Sequence, residues 1–192
     1  MSAVRTVAVA DGVYSAAAPV AALAVQSERL AARALLRRLL AEVAGSDAAA
    51  APLAADARGR PFLAGHPDLG VSLSHSGGWV AAAVLVAGGC VGVDVQVPVL
   101  PSDRLLRRCC GAGAARLARL SERRRSAEFA WIWSVQEACV KASGAGISGL
   151  PWTIPVRIGQ RAGRWRDFAW RALRGELPVS WSCAFTAQEA AS

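Results

Sequence analysis

Apolar positions along this chain follow two periods. Over residues 27–44, SERLAARALLRRLLAEVA, Leu30, Leu35, Leu36, Leu39 and Val43 recur at helical spacing. Arg29, Arg33 and Arg37 recur every four residues on another face, which predicts an amphipathic helix ended by Gly45 and Ser46. A loop rich in Ala, Pro and Gly follows, through GRPFLAGHPDLG at 59–70, and then the period shortens. VSLSHS (71–76) and WVAAAVLV (79–86) flank Gly77 and Gly78, a two-residue hairpin signal, and CVGVDVQV (90–97) reads as a third strand. Pro98 and Pro101 break the pattern. The second half repeats the order. An arginine-dense loop and short helix span 102–125, and a helix runs from about Ser126 to Ser143, stopped by Gly144 and Gly146. Three β-like segments follow, near 154–160, 164–173 and 178–186. TVAVA at 6–10 is a predicted strand at the start. Each half thus reads as a helix followed by three antiparallel strands. This predicts an α+β pseudo-dimer of two lobes, 1–98 and 99–192, with a ligand cleft at their junction.

The composition changes this picture little. The 192 residues are 54% hydrophobic and 19% charged, which marks a folding chain and excludes disorder. A net charge of +8 favours phosphate-bearing ligands, nucleic acid or an acidic protein partner. Charge is the whole case for a nucleic-acid module, because aromatics are not interleaved with the arginines and no nucleic-acid motif occurs. The five cysteines form no CxxC pair, so neither zinc nor a disulfide framework is indicated, and a reducing cytoplasm fits. SAAAPVAALAV at 15–25 has the look of a signal core. It is too short to span a bilayer and contains Pro19, so it reads as buried structure, with no membrane partner.

Two segments carry the chemistry. In VGVDVQ (91–96), Asp94 and Gln96 share one face of a strand; in WSVQEACVKASG (133–144), Glu137 and Lys141 share one face of a helix. Together they can hold a hard cation and an anion side by side, and magnesium bound by a few carboxylates plus substrate phosphates is the usual form of such a site. Each residue also has an ordinary reading. Glu137 and Lys141 can be a solvated ion pair, and Asp94 an acid at a frayed strand end. His75, between Ser74 and Ser76, can be a structural histidine, and Arg29 and Arg60 plain surface charge.

The set GRP (59–61), SLSHS (72–76), VGVDVQ and WSVQEACVKASG, in this order, resembles the 4′-phosphopantetheinyl transferases of the larger, monomeric, surfactin-synthetase-activating type. The resemblance covers residues 27–186. It implies transfer of phosphopantetheine from coenzyme A to a serine of an apo acyl or peptidyl carrier protein, releasing adenosine 3′,5′-bisphosphate. By resemblance, Asp94 and Glu137 bind magnesium, or manganese, at the pyrophosphate, with Gln96 beside them where many relatives have Glu. Lys141 contacts phosphate, Glu137 is the candidate base, and His75 with Ser74 meets the 3′-phosphate. Arg60 and Arg29 are further phosphate clamps. Gln136 stands where a Lys is common. The arginine-rich stretch 104–125, with Leu105 and Leu106, corresponds to a region that helps receive the carrier. The rival reading is a homologue that binds coenzyme A or a carrier but is catalytically impaired by the Gln96 change. Retention of Asp94, Glu137 and Lys141 together argues against it.

Overall fold

The computed structural model describes residues 4–86 and 88–187. In chain order the elements are β1 (Arg5–Ala10), β2 (Val13–Pro19), α1 (Glu28–Val43), α2 (Ser46–Ala50), β3 (Leu53–Ala55), β4 (Pro61–Leu63), β5 (Gly70–Ser76), β6 (Trp79–Leu85) and β7 (Val91–Gln96). There follow α3 (Asp103–Cys110), α4 (Ala114–Ala118), α5 (Glu122–Ser143), β8 (Ala162–Trp165), β9 (Phe168–Ala172) and β10 (Ser180–Thr186). Two four-stranded antiparallel sheets result, ordered β1-β2-β6-β5 and β7-β10-β9-β8, with β3 and β4 as a small separate hairpin.

The mixed α+β architecture matches expectation, but the strand bookkeeping does not. The 91–96 strand, read as the third strand of the first half, pairs with β10 in the second sheet. Residues 13–19 form β2, which takes the edge of β6 that a third strand would need. The repeated order is therefore strand, helix, hairpin: β2-α1-β5-β6 and β7-α5-β9-β10, each closing with its last strand beside its first.

Layering follows from strand alternation. Ala16, Ala18, Val80, Ala82 and Val84 face α1, while Ala17, Ala81, Ala83 and Leu85 face the second sheet. There they meet Val91, Val93, Val95, Cys183, Phe185 and Trp181, whose indole N–H donates to the Ser15 hydroxyl at 3.0 Å. Small residues on β2 and β6 make room for that indole. Trp170, Ala172 and Ala184 face α5 on the far side. The stretch that resembled a signal core is thus divided: residues 15–19 belong to strand β2, with 15–18 buried, while Val20–Leu23 form a short helical turn that exposes Ala21 and Ala22.

Three local expectations change. Leu30 is 56% exposed, because it lies five residues before Leu35, about 140° around the helix axis; Ala31, Ala32 and Leu40 complete the buried face instead. Residues 154–160 are no strand, and the 164–173 segment is a hairpin folded at Arg166, whose φ is +53°. Helix α5 begins at Glu122, a turn earlier than expected.

Where the two sheets abut, β5 and β7 share no backbone ladder. Instead the hydroxyls of Ser72, Ser74 and Ser76 accept the N–H groups of Val93, Val95 and Val97 at 3.0, 3.3 and 3.5 Å. The partners climb together, so these edge strands run parallel, stapled by side chains.

The cysteines are all free. Burial pushes the Cys109 thiol up to about 11 and those of Cys110 and Cys139 up to about 12, and raises Cys183 as well. Among the described residues no helix is long and apolar enough to cross a membrane.

Gly92 sets the distance between α5 and its sheet. A Cβ there would lie 2.1 Å from the Ala138 carbonyl oxygen and 2.4 Å from the Ala142 nitrogen, both helix backbone that cannot swing aside. Gly92→Ala is expected to destabilise the protein by about 3 kcal/mol, lowering Tm by about 10 °C. Gly113→Ala has nothing within 4 Å and an ordinary negative φ, and should be neutral or slightly stabilising. Equal thermal stability of the two variants would show that the close approach is not as described.

Candidate active site

Along β7, Val91, Val93 and Val95 point into the core between the sheets, which leaves Gly92, Asp94 and Gln96 on the α5 side. The close approach at Gly92 brings the next helical turns over Asp94. Glu137 and Lys141, four residues apart on α5, therefore overlook it.

Asp94 is only 3% exposed, and its carboxylate is fully engaged. Oδ1 accepts from Lys141 Nζ at 2.7 Å and from the Ser74 hydroxyl at 2.7 Å, and Oδ2 accepts from Gln96 Nε2 at 3.0 Å. Lys141 Nζ also donates to the carbonyls of Val93 at 3.1 Å and Leu73 at 3.5 Å. One ammonium thus ties α5 to an edge strand of each sheet. Glu137 is half-buried. Burial, and then the Asp94 charge, raise its carboxyl above the ordinary glutamate value, against the opposing pull of Lys141.

Two residues expected to touch ligand have other partners. Ser74 is buried; its hydroxyl donates to Asp94 and accepts the Val95 N–H, because even-numbered β5 side chains face the seam with β7. Gln96, expected among the metal ligands, gives its amide N–H to Asp94, while its oxygen lies 3.5 Å from the Ser76 hydroxyl. Gln136, where a Lys is common among relatives, lies outside the groove. It is fully buried and donates to the carbonyls of Cys109 and Ile154, fastening the flanking loops to α5.

The remaining expected residues do converge. A hollow of about 240 Å³ lined by Arg29, Arg33 and His75 adjoins one of about 160 Å³ lined by Arg58, Arg60 and Lys141. The two share Gly59, Pro61 and Leu73, so they form one basic groove leading to Lys141. Asp56 shapes its wall, with Oδ1 accepting the N–H groups of Arg58 and Arg60 at 2.8 and 2.9 Å. Arg60 reaches the end of α5, where a Cβ on Gly144 would lie 3.6 Å from its guanidinium. His75 Nδ1 is 2.8 Å from Glu28 Oε2, and Glu28 Oε1 accepts the Gly78 N–H at 2.5 Å. Asp56, Glu28 and Arg33 escaped the sequence reading. Glu28 and Asp56 precede Arg29 and Arg60 by one and four residues, and Arg33 follows Arg29 by one helical turn, but their roles are visible only once the loop and hairpin are folded.

The donor set fits a hard divalent cation in part. Burial and, after it, the Asp94 charge both work against an ionised Glu137, and a cation between the two carboxylates would relieve both. No group of three or more His, Cys, Asp or Glu side chains occurs among the described residues, so phosphate oxygens of a ligand would have to complete the shell.

Similarity to known proteins falls on the part of the chain that carries β7 and α5. The family description "4′-phosphopantetheinyl transferase superfamily" matches residues 90–190, just over half the chain, beginning where β7 begins. A 4′-phosphopantetheinyl transferase psf-1 of Bacillus pumilus is 34% identical over 95 residues, 48% of this chain. The chain covers 40% of that relative's length. With the matched region holding β7, α5 and the carboxylates they bring together, the chain belongs to the 4′-phosphopantetheinyl transferase superfamily.

Proposed function

We propose that this chain transfers 4′-phosphopantetheine from coenzyme A to a serine of an apo acyl or peptidyl carrier protein, acting as a cytoplasmic monomer. The observation that carries this is the meeting of Asp94, Glu137 and Lys141 at the end of a basic groove. The pseudo-dimer reading is kept, with the lobes divided between β6 and β7, since β7 belongs to the second sheet.

In this reading Arg29, Arg33 and His75 receive the 3′-phosphate, while Arg60 and Lys141 face the pyrophosphate. Asp94 and Glu137 are the holders of a divalent ion, which when bound neutralises the pyrophosphate and the charge gathering on the departing bisphosphate. Ser74 and Gln96 orient Asp94 by hydrogen bonds from behind. The carrier serine oxygen forms a bond to the β-phosphorus as the bond from that phosphorus to the bridging oxygen breaks. The serine proton passes to Glu137, whose carboxylate is made more basic than an ordinary glutamate by burial and by the Asp94 charge. The leaving group is adenosine 3′,5′-bisphosphate.

The carrier docks, in this proposal, beside α3. Arg104, Arg107 and Arg108 are exposed there, with the Arg108 guanidinium 3.6 Å over the Trp152 ring. Val99, Leu100 and Leu105 supply exposed apolar surface, at 70%, 48% and 37%. Leu106, expected to join them, is core. Basic groups around an apolar strip suit an acidic partner helix.

The decisive experiment is a mass measurement on an apo carrier protein incubated with coenzyme A and magnesium. Wild type should add one phosphopantetheine, and Asp94→Ala and Glu137→Ala should each fall by about 100-fold or more. No transfer by wild type to any acyl or peptidyl carrier overturns the proposal.

The raised Glu137 carboxyl gives a pH dependence. Its protonated form is favoured in the fold, so its contribution to stability is present at low pH and is lost as pH rises through the folded-state value. Without divalent ions, Tm should decline over that range; magnesium should offset the decline, and Glu137→Gln should remove both effects. Thermal scans across pH decide this, and identical profiles for wild type and Glu137→Gln count against it.

Gln96→Glu replaces a donor to Asp94 by a third carboxylate. It is expected to lower metal-free stability and tighten magnesium binding by about tenfold in calorimetric titration. Unchanged affinity would remove position 96 from the metal environment.

A further inference from the structure

One half-buried carboxylate joins the two elements that line the first hollow of the groove. Glu28 is the first residue of α1, yet it does not cap its own helix. It reaches across to the β5–β6 hairpin, where Oε2 meets His75 Nδ1 at 2.8 Å and Oε1 accepts the Gly78 N–H. Arg29 follows it directly on the helix, and His75 precedes the turn formed by Gly77 and Gly78, with φ of +54° and +82°. The core already packs α1 against this hairpin, and at the rim of the hollow a single side chain bridges the segment bearing Arg29 to the one bearing His75. We propose that Glu28 is a positioning residue for recognition of the 3′-phosphate, holding the His75 imidazolium by Nδ1–H so that Nε2–H is the donor left to meet the phosphate beside Arg29. This rests on the reading of the groove given above.

The alternative roles of such a pair are weaker. The His75 and Glu28 side chains are 51% and 33% exposed, and ion pairs that open to water add little to stability. A carboxylate in a phosphate site would ordinarily repel the ligand. Here both its oxygens already accept hydrogen bonds, its charge sits at a helix N-terminus, and Arg29 and Arg33 line the same hollow. The Gly78 N–H and the imidazole hold the Glu28 carboxyl below its usual value, so it is ionised at neutral pH. A glutamate reaches two donors on a neighbouring hairpin; a glutamine can accept at one of them only.

The test measures binding of adenosine 3′,5′-bisphosphate and of adenosine 5′-monophosphate by calorimetry, alongside transfer kinetics with coenzyme A and 3′-dephospho-coenzyme A. For Glu28→Gln, affinity for the bisphosphate should fall by about fivefold, roughly one charge-assisted hydrogen bond, with the monophosphate unaffected. KM for coenzyme A should rise in proportion, kcat should stay within about twofold, and Tm should hold within about 2 °C. In a His75→Ala background the same substitution should have no further effect on the preference for a 3′-phosphate. Equal losses with both nucleotides, an additive effect in the double variant, or tighter bisphosphate binding by Glu28→Gln each overturn the positioning role. A wild type that shows no preference for the 3′-phosphate overturns the reading of the groove itself.

Discussion

At Gly92 a strand and a helix touch backbone to backbone, and the rest of the site follows from that contact. Any side chain there would lift α5 from β7 and carry Glu137 and Lys141 away from Asp94. The hydrogen bond between Ser134 and Ser182, 2.7 Å long and buried, holds the helix to the neighbouring strand by equally small groups. Close packing of small residues costs little area per residue, but it fixes position tightly, because neither backbone can relax around an intruding atom. Precision in the site is thus inherited from the strand-helix contact and not from the charged groups themselves.

The seam between the sheets has the opposite character. Three serine hydroxyls replace a backbone ladder, and one of them, Ser74, belongs at once to the seam and to Asp94. Lys141 bridges the same seam by donating to Leu73 and Val93. A buried carboxylate needs partners, and the parallel approach of β5 and β7 supplies a hydroxyl from one strand and an ammonium lodged across both. The hairpin of Gly77 and Gly78 then turns the first sheet back toward α1, which is what delivers His75 to the basic groove.

Much of this was legible in the residues. The helical stripe of α1, the Gly77-Gly78 hairpin and the α5 face bearing Glu137 and Lys141 are periodic signals, and periodicity survives folding. Asp94 could be recognised because an acid among valines needs a reason. Sheet membership was not legible: Val91, Val93 and Val95 fit the inner face of either sheet, and only the prior claim of β2 on the edge of β6 decides between them. For the same reason Ser74 was read as a ligand contact. Its neighbour His75 suggested one shared role, whereas alternation along β5 sends the two side chains to opposite sides. The anchoring role of Gln136 has no local signal, because the carbonyls of Cys109 and Ile154 that it binds come from distant segments.

Burial of the cysteines has a practical side. Cys109, Cys110, Cys139 and Cys183 hold their protons far above neutral pH, so they offer almost no thiolate to an electrophile. A small unburied thiol in solution is, by comparison, far richer in thiolate at neutral pH than any of these four. Maleimide and haloacetyl reagents are then expected to leave those four sulfurs unalkylated while the chain stays folded.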